Sequence, residues 1–87
     1  MIFEFDPAKS ALNKDKHGID FDEAQELWAD PALLEAVAKT IGEHRFVAIG
    51  KIGVKHWAAI YTLRGLAVGV ISVRRARSEE IDHYENG

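Results

Sequence analysis

The sequence contains no cysteine among its 87 residues, which excludes disulfide bonds and metal sites built on thiolates. It has no apolar run near the roughly 18 residues that a membrane-spanning helix needs. It also lacks the charged stretch followed by an apolar one that indicates a signal peptide. We therefore expect a soluble, cytoplasmic protein. The length corresponds to a single domain, residues 1–87, without repeats or linkers.

Residues 45–77 contain no aspartate or glutamate, although the whole chain carries a net charge of −3. Seven lysines and arginines fall within this segment, and all the acidic residues lie before or after it. Cations at strand ends and edges keep sheets from aggregating, which is a structural explanation for each cation taken singly. A block of this length without any carboxylate favours an anionic partner instead.

The first third of the sequence predicts two helices. Asp6 followed by proline indicates the start of the first, and Gly18 indicates its end. A second helix is predicted to begin at Asp20, which forms a capping-box-like pair with Glu23. It ends before Pro31, because the residue preceding a proline is disfavoured in the α region. The apolar stripe of this second helix consists of Phe21, Ala24, Leu27 and Trp28.

The rest of the sequence predicts a sheet and a final helix. The alternating "IFEFD" near the start is typical of a short strand. Residues 33–41 are ambiguous between strand and helix, and their position favours a strand or an extended arm. Ser78 is a suitable N-cap for a last helix. Tight turns separate three further β runs, which predicts antiparallel hairpins. These runs are 45–52, 55–63 and 66–75.

The order of these elements predicts an α+β fold, in which an antiparallel β-sheet packs with two N-terminal helices and one C-terminal helix. Both faces of the meander are apolar, with Trp57 and Tyr61 on one face and Ala58 and Ile60 on the other. A sheet with water on one side alternates more cleanly. We therefore expect the second face to meet the concave part of the sheet, a second copy or a partner chain.

The sequence shows no familiar metal, phosphate-loop or nucleophile motif. The four histidines lack the spacing of metal ligands, and the glycines are typical of turns and strands rather than of a phosphate loop. The arginines remain, since a guanidinium can hold a phosphate in bidentate fashion. It can also stabilise the extra charge of a pentacoordinate phosphate.

Strand geometry limits which arginines can act together. Side chains alternate between the two faces of a strand, so Arg74 is predicted to share a face with Val70, while Arg75 points to the other face. At most one of these two arginines can face a given ligand. Arg45 and Arg64 are expected toward the opposite end of the meander.

Cleavage of RNA without a metal needs a base for the 2′-hydroxyl, an acid for the departing 5′-oxygen and cations for the phosphorane. Trp57 and Tyr61 can stack on bases, but their strand spacing is more typical of core residues. The side chains that can transfer protons are His17, His83, Glu80, Lys16 and Tyr84.

Several blocks of the sequence resemble the BrnT toxin family. The first block, "FEFDPAKSALNKDKHGIDFDEAQELWADP", combines an aromatic–acid–aromatic–Asp-Pro-x-Lys start with an Asn inside the helix, Lys-His-Gly and Phe-x-Glu-Ala. The blocks "EHRFVAIGKIG", "YTLRG" and "ISVRRARSEEIDHYEN" resemble the remaining parts of the family. The resemblance covers nearly the whole chain.

The resemblance implies a RelE-like fold and a toxin of a bacterial type II toxin–antitoxin pair, which cuts RNA without a metal or other cofactor and arrests growth. The implied partner is a BrnA-like ribbon-helix-helix antitoxin, a dimer that neutralises the toxin in a hetero-oligomer. DNA is then contacted through the antitoxin, and no membrane is involved. The implied catalytic residues are Arg64, Arg74, His17 and Glu80, and the implied RNA-binding residues are Lys16, Arg45, Arg77 and Tyr84.

Two other interpretations remain open. The chain can be a non-catalytic or degenerate protein-binding module whose basic sheet docks an acidic partner. Alternatively, the arginines guard the edges of the sheet and carry no function. RNA cleavage by the isolated chain distinguishes a ribonuclease toxin from both of these alternatives.

Overall fold

The computed structural model describes residues 1–38 and 42–87, and it confirms the α+β class. The elements in chain order are β1 (Ile2–Glu4), α1 (Pro7–His17), a 3-10 helix (Glu23–Ala29), β2 (Leu34–Ala38), β3 (Arg45–Ile52), β4 (Lys55–Arg64), β5 (Ala67–Arg75) and α2 (Ser78–Asn86). The five strands form one sheet in the order β1-β5-β4-β3-β2. Within these two ranges, no helix is long and apolar enough to cross a membrane.

The predicted strand at 33–41 is confirmed for its central part, which is β2, and residues 39–41 lie outside the described ranges. The first helix also begins and ends as predicted. Asp6 accepts a hydrogen bond from the Ala8 N–H at 2.8 Å, and proline occupies the first turn of α1. Gly18 ends the helix with a φ of 81°, and its N–H donates to the Lys14 carbonyl.

The second predicted N-terminal helix is present, but as a 3-10 helix over Glu23–Ala29 that begins after Asp20. The predicted pairing at its start is present. The Glu23 N–H donates to the Asp20 carboxylate at 2.7 Å, and the Asp20 N–H donates to the Glu23 carboxylate at 3.0 Å. The buried residues Phe21, Ala24 and Leu27 are spaced by three, which matches the three residues per turn of a 3-10 helix. Burial of this stripe therefore selects the tighter helix.

The sheet is mixed, so the prediction of an antiparallel sheet is wrong for one strand. β2, β3, β4 and β5 pair antiparallel as predicted. β1 pairs parallel with β5, with Ile2 opposite Ala67 and Glu4 opposite Gly69. No local sequence signal marks this pairing, because almost the whole chain separates the two strands.

Two boundaries differ by one residue from the prediction. The first hairpin turn is Gly53-Val54, as expected, but the second is Gly65-Leu66, so Arg64 still belongs to β4 and pairs with Ala67. Arg77, rather than Ser78, is the N-cap of α2. The last helix therefore begins at Ser78, one residue earlier than its predicted cap would place it.

The hydrophobic core lies on one face of the sheet, where Phe21 and Leu27 pack against the strands. Trp57 and Tyr61 are buried in this core, which confirms their prediction as core residues rather than exposed stacking groups. The Tyr61 hydroxyl donates to the Glu35 carboxylate, and burial together with this bond raises its pKa. Burying a side chain such as Phe21 or Leu27 stabilises the fold by about 1.5–3 kcal/mol.

A β-bulge in β5 changes which side chains share a face. Ser72 lies opposite Ile60 and Val70 lies opposite Tyr61, so Ile71 is an extra residue. Val70 and Val73 consequently both belong to the core. The prediction that Val70 shares a face with Arg74 is therefore wrong.

Candidate functional site

The face of the sheet opposite the core, here called the second face, carries most of the basic side chains. Trp57 points into the core, so its neighbours on β4, His56 and Ala58, point to the second face. Their strand partners are Lys51 and Arg74, which therefore lie on the second face as well. Alternation along β3 and β4 places Arg45 and Arg64 on this same face. The second face is therefore basic at both ends and apolar near Ala58.

Arg74 and Glu80 form a bidentate ion pair at one end of the second face. The two terminal guanidinium nitrogens of Arg74 donate to the two Glu80 oxygens at 2.7 and 3.0 Å, and both side chains are partly buried. Glu80 also accepts a hydrogen bond from the Arg77 N–H at 2.8 Å. The bond from Arg74, aided by the Arg77 N–H, lowers the pKa of Glu80, and the same bond raises the pKa of Arg74. The pair joins the end of β5 to the start of α2.

Tyr84 joins the far part of α2 to Asp30, the residue that ends the 3-10 helix. Its hydroxyl donates to the Asp30 carboxylate at 2.7 Å, and Asp30 also accepts hydrogen bonds from the N–H groups of Lys51 and Ala32. The bond to Asp30 raises the pKa of Tyr84 to about 12. Burial alone would raise the pKa of Asp30, but the hydrogen bonds it accepts outweigh burial and lower that pKa.

His56 provides the middle attachment of α2. Its Nε2 lies 2.7 Å from a carboxylate oxygen of Glu85, and its ring meets the Tyr84 ring edge-on at 5.3 Å. With the contacts of Arg74 and Asp30, α2 is attached to β5, to β4 and, through Asp30, to β3. One end of the second face is thus covered by the chain's own last helix, which was not among the occupants expected for it.

Arg64 lies at the other end of the second face, beside a cavity of about 460 Å³. Its side chain crosses Gly69, where an added Cβ would come within 3.3 Å of the Arg64 Nε and 3.1 Å of a Thr62 methyl group. The absence of a side chain at Gly69 therefore gives Arg64 its path. The cavity is lined by Glu4, Phe5, Asp6, Lys9, Arg64, Gly69, Val70 and Ile71.

Lys16 and His17 lie beside a smaller cavity of about 170 Å³ between α1 and β5. This cavity shares Lys9 and Ile71 with the larger one, so the two form one groove, here called the α1–β5 groove. The smaller cavity is lined by Lys9, Leu12, Asn13, Lys16, His17, Phe21, Ile71 and Ser72.

Asn13 fixes α1 against the edge of β5. Its buried side-chain amide donates to the carbonyls of Val73 at 2.9 Å and Ile19 at 2.7 Å, and its oxygen accepts from the Val73 N–H at 3.3 Å. β1 pairs only with residues 67–69 of β5, so the edge at Val73 is otherwise open. An Asn inside the helix was noted only as a motif element, and its burial was not foreseen.

The eight predicted site residues therefore fall into separate groups. Arg74, Glu80, Arg77 and Tyr84 lie on or beside α2, and Arg64, Lys16 and His17 line the α1–β5 groove. Arg45 begins β3 and is exposed. Ala58, the partner of Arg74, precedes Arg64 by six residues along β4, which corresponds to about 20 Å.

Three other polar residues at these places were not predicted. His56 and Asp30 hold α2, and Lys9 stands where the two cavities of the groove meet. Lys9 could have been found from helical spacing, since it lies four residues before Asn13 and thus on the same side of α1. Within the described ranges, no three His, Asp or Glu side chains are grouped so that they could hold a metal ion.

A small α+β domain with a basic sheet face and a cation-lined groove defines a class of protein suited to binding an anionic polymer. A family model described as "Ribonuclease toxin, BrnT, of type II toxin-antitoxin system" matches residues 5–80. The chain therefore belongs to the BrnT family of ribonuclease toxins, and the resemblance seen in the sequence is confirmed. Comparison with curated proteins gave no match.

Proposed function

We propose that this protein is a metal-independent endoribonuclease, which cleaves RNA and arrests growth when its antitoxin is absent. Membership of a ribonuclease toxin family is the observation that carries the proposal. The seven cations without a carboxylate between residues 45 and 77 support an RNA substrate, because RNA presents a continuous row of phosphates.

The α1–β5 groove is the better candidate for the reaction than the start of α2. Both terminal nitrogens of Arg74 are engaged by Glu80, so their charge is compensated within the protein. Arg64 borders an open cavity, and Lys16 and His17 line the same groove. In this proposal Arg64 stabilises the charge of the phosphorane, and Lys16 and His17 hold the RNA backbone farther along the groove. Arg74 and Glu80 hold α2 in place.

The purified chain is expected to cleave single-stranded RNA in the presence of EDTA. Replacing Arg64 by Ala should lower the cleavage rate about 10²–10³-fold, as expected for losing one donor that stabilises transition-state charge. Arg75→Ala is the matched control, because Arg75 is exposed, lies over the Trp57 ring and points away from the second face. Full activity of Arg64→Ala, or loss of wild-type cleavage in EDTA, would contradict the proposal.

We further propose that the neutralising partner is a dimeric ribbon-helix-helix antitoxin. The type II family implies an antitoxin, and the basic second face offers charge complementarity to an acidic segment of such a partner. Co-expression of a BrnA-like ribbon-helix-helix protein should restore growth, and DNA binding should require the complex. A chain that binds this partner but leaves RNA intact at every concentration would favour the non-catalytic alternative.

A further inference from the structure

The cavity beside Gly69 brings four charged side chains together: Glu4, Asp6, Lys9 and Arg64. The Asp6 carboxylate already accepts a hydrogen bond from the Ala8 N–H, through which it caps α1. In residues 1–38 and 42–87 the ion pairs are Lys14–Glu23, His56–Glu85 and Arg74–Glu80, so none joins two of these four groups. Lys9, Arg64 and Glu4 therefore border the cavity with their charges available to a ligand.

The backbone holds these three groups in place from three directions. Glu4 and Gly69 are opposite one another in the β1–β5 pairing, and Thr62 faces Gly69 from β4. Gly69 lets the Arg64 side chain cross β5 toward the cavity. Lys9 comes from α1, whose position along β5 is set by the hydrogen bonds of Asn13 to Val73.

We infer that this cavity is the subsite of the scissile phosphate, in which Arg64 and Lys9 bind the phosphate and Glu4 accepts the proton of the attacking 2′-hydroxyl. The inference rests on the proposed function and names two residues that the sequence did not indicate. Two cations suit the two non-bridging oxygens of a phosphodiester, and a carboxylate is a suitable proton acceptor. Lys16 lies seven residues after Lys9, about 10 Å farther along α1, where it can hold a neighbouring phosphate of the same strand.

The reaction balances with these groups. The 2′-oxygen loses its proton to Glu4 and forms a bond to phosphorus, and the bond between phosphorus and the 5′-oxygen breaks. The 5′-oxygen takes a proton from water, and the Glu4 carboxylic acid returns its proton to the resulting hydroxide. The products are a 2′,3′-cyclic phosphate and a 5′-hydroxyl, and no oxidant or reductant is needed.

Two measurements on the full-length chain test these roles: cleavage of a short single-stranded RNA, and binding of the same oligonucleotide with 2′-deoxy sugars, which cannot be cleaved by this route. Glu4→Gln should lower kcat about 10²–10⁴-fold and remove the acidic limb of the pH–rate profile, with little change in binding. Lys9→Ala should weaken binding about tenfold or more, because it removes a charge-assisted hydrogen bond. Glu26→Gln and Lys55→Ala are controls, since both residues are exposed and line a different cavity.

Gly69→Ala tests the path of Arg64. It should lower kcat in the wild-type background and have little further effect when Arg64 is already Ala, because the added methyl group acts by displacing Arg64. A purely structural role of Gly69 would lower activity equally in both backgrounds. Thermal unfolding of each variant shows whether it remains folded.

The outcomes separate the inference from the proposed function. If the wild-type chain cleaves RNA and both Glu4→Gln and Lys9→Ala cleave at its rate, the inference is overturned and the proposed function stands. If the wild-type chain leaves RNA intact but binds the 2′-deoxy strand through Lys9 and Arg64, the nuclease assignment and the role of Glu4 are overturned, and the phosphate subsite is supported.

Discussion

Arg74 and Arg64 are chemically identical side chains in opposite situations. Both terminal nitrogens of Arg74 donate hydrogen bonds to Glu80, whereas the Arg64 side chain extends over Gly69 to an open cavity. The resemblance to the BrnT family implied a catalytic role for both, and residue type alone does not distinguish them. They differ because the first turn of α2 places the Glu80 carboxylate beside Arg74. This placement depends on tertiary packing.

Glu80→Gln should lower the free energy of unfolding by about 1–2 kcal/mol near neutral pH, because it removes a charged pair that is only partly buried. The pKa of Glu80 is lowered in the folded state, so its stabilisation is present above its unfolded pKa of about 4.3 and is lost as the pH falls through the lower folded value. Urea unfolding of both proteins at several pH values should show their difference shrinking in acid. Glu79→Gln, at an exposed neighbouring position, is the control, and a constant difference down to low pH would contradict the assignment.

Asn13→Leu should destabilise the protein by roughly 2–4 kcal/mol, since it leaves the N–H and carbonyl of Val73 and the carbonyl of Ile19 without their partner. The measurement is the urea midpoint at an unchanged m-value. Asp15→Asn, an exposed change on the same helix, should leave the midpoint nearly unaltered. An equal effect of the two substitutions would show that Asn13 does not hold α1 to β5.

At the scale of the element, α2 has no buried residue and is held by polar contacts with β5, with β4 and with Asp30 after the 3-10 helix. Hydrogen bonds and ion pairs depend on protonation, whereas apolar packing does not. The attachment of this helix should therefore respond to pH, and Tyr84 sets the response on the alkaline side.

Tyr84 should titrate near pH 12 rather than near 10, because ionisation would place a phenolate against the Asp30 carboxylate. The raised pKa means that this stabilisation is present below pH 10 and is lost between about 10 and 12. Phenolate absorbance of Tyr61→Phe, which leaves Tyr84 as the remaining tyrosine, measures the midpoint. The additional replacement Tyr84→Phe should abolish the fall in thermal stability over this range, and a midpoint near 10 would refute the bond to Asp30.

Much of the element level could be predicted from the sequence, because caps, turns and strand periodicity are local. As predicted, Asp6 caps the first helix, Gly18 ends it and Gly53 lies in the first hairpin turn. The parallel pairing of β1 could not be predicted, since it depends on contacts between the two ends of the chain. The bulge at Ile71 likewise follows from packing both Val70 and Val73 into the core.

At the scale of the whole molecule, the net charge of −3 hides a basic face and groove. The chain order separates the charges, and the fold then gathers the cations on one side of the sheet. Only part of the candidate site could therefore be predicted. Residue type and charge indicated candidate residues in the sequence. Their division between α2 and the α1–β5 groove depends on the packing of α1 through Asn13.

RNA binding should be strongly salt-dependent despite the acidic composition. If Arg45, Arg64, Lys9 and Lys16 each neutralise one phosphate, log K should fall with log salt with a slope of about −3, at roughly −0.7 per contact with a single strand. Binding of an uncleavable 2′-deoxy strand across a salt series measures the slope. Lys16→Ala should make it shallower by about 0.7, and Lys55→Ala should not; a slope near zero would show that binding is not electrostatic.

The bulge at Ile71 also restricts how the length of this chain can change. β5 is fixed at one end by the turn at Gly65 and at the other by the contact of Arg74 with Glu80. Deleting one residue at the bulge would restore regular alternation and leave Arg74 on the second face, whereas one further residue beside an intact bulge would turn Arg74 toward the core. We expect relatives to have either the same residue count from Gly65 to Arg77 or one residue fewer, without the bulge, and to place their insertions in the turn at 42–44 instead.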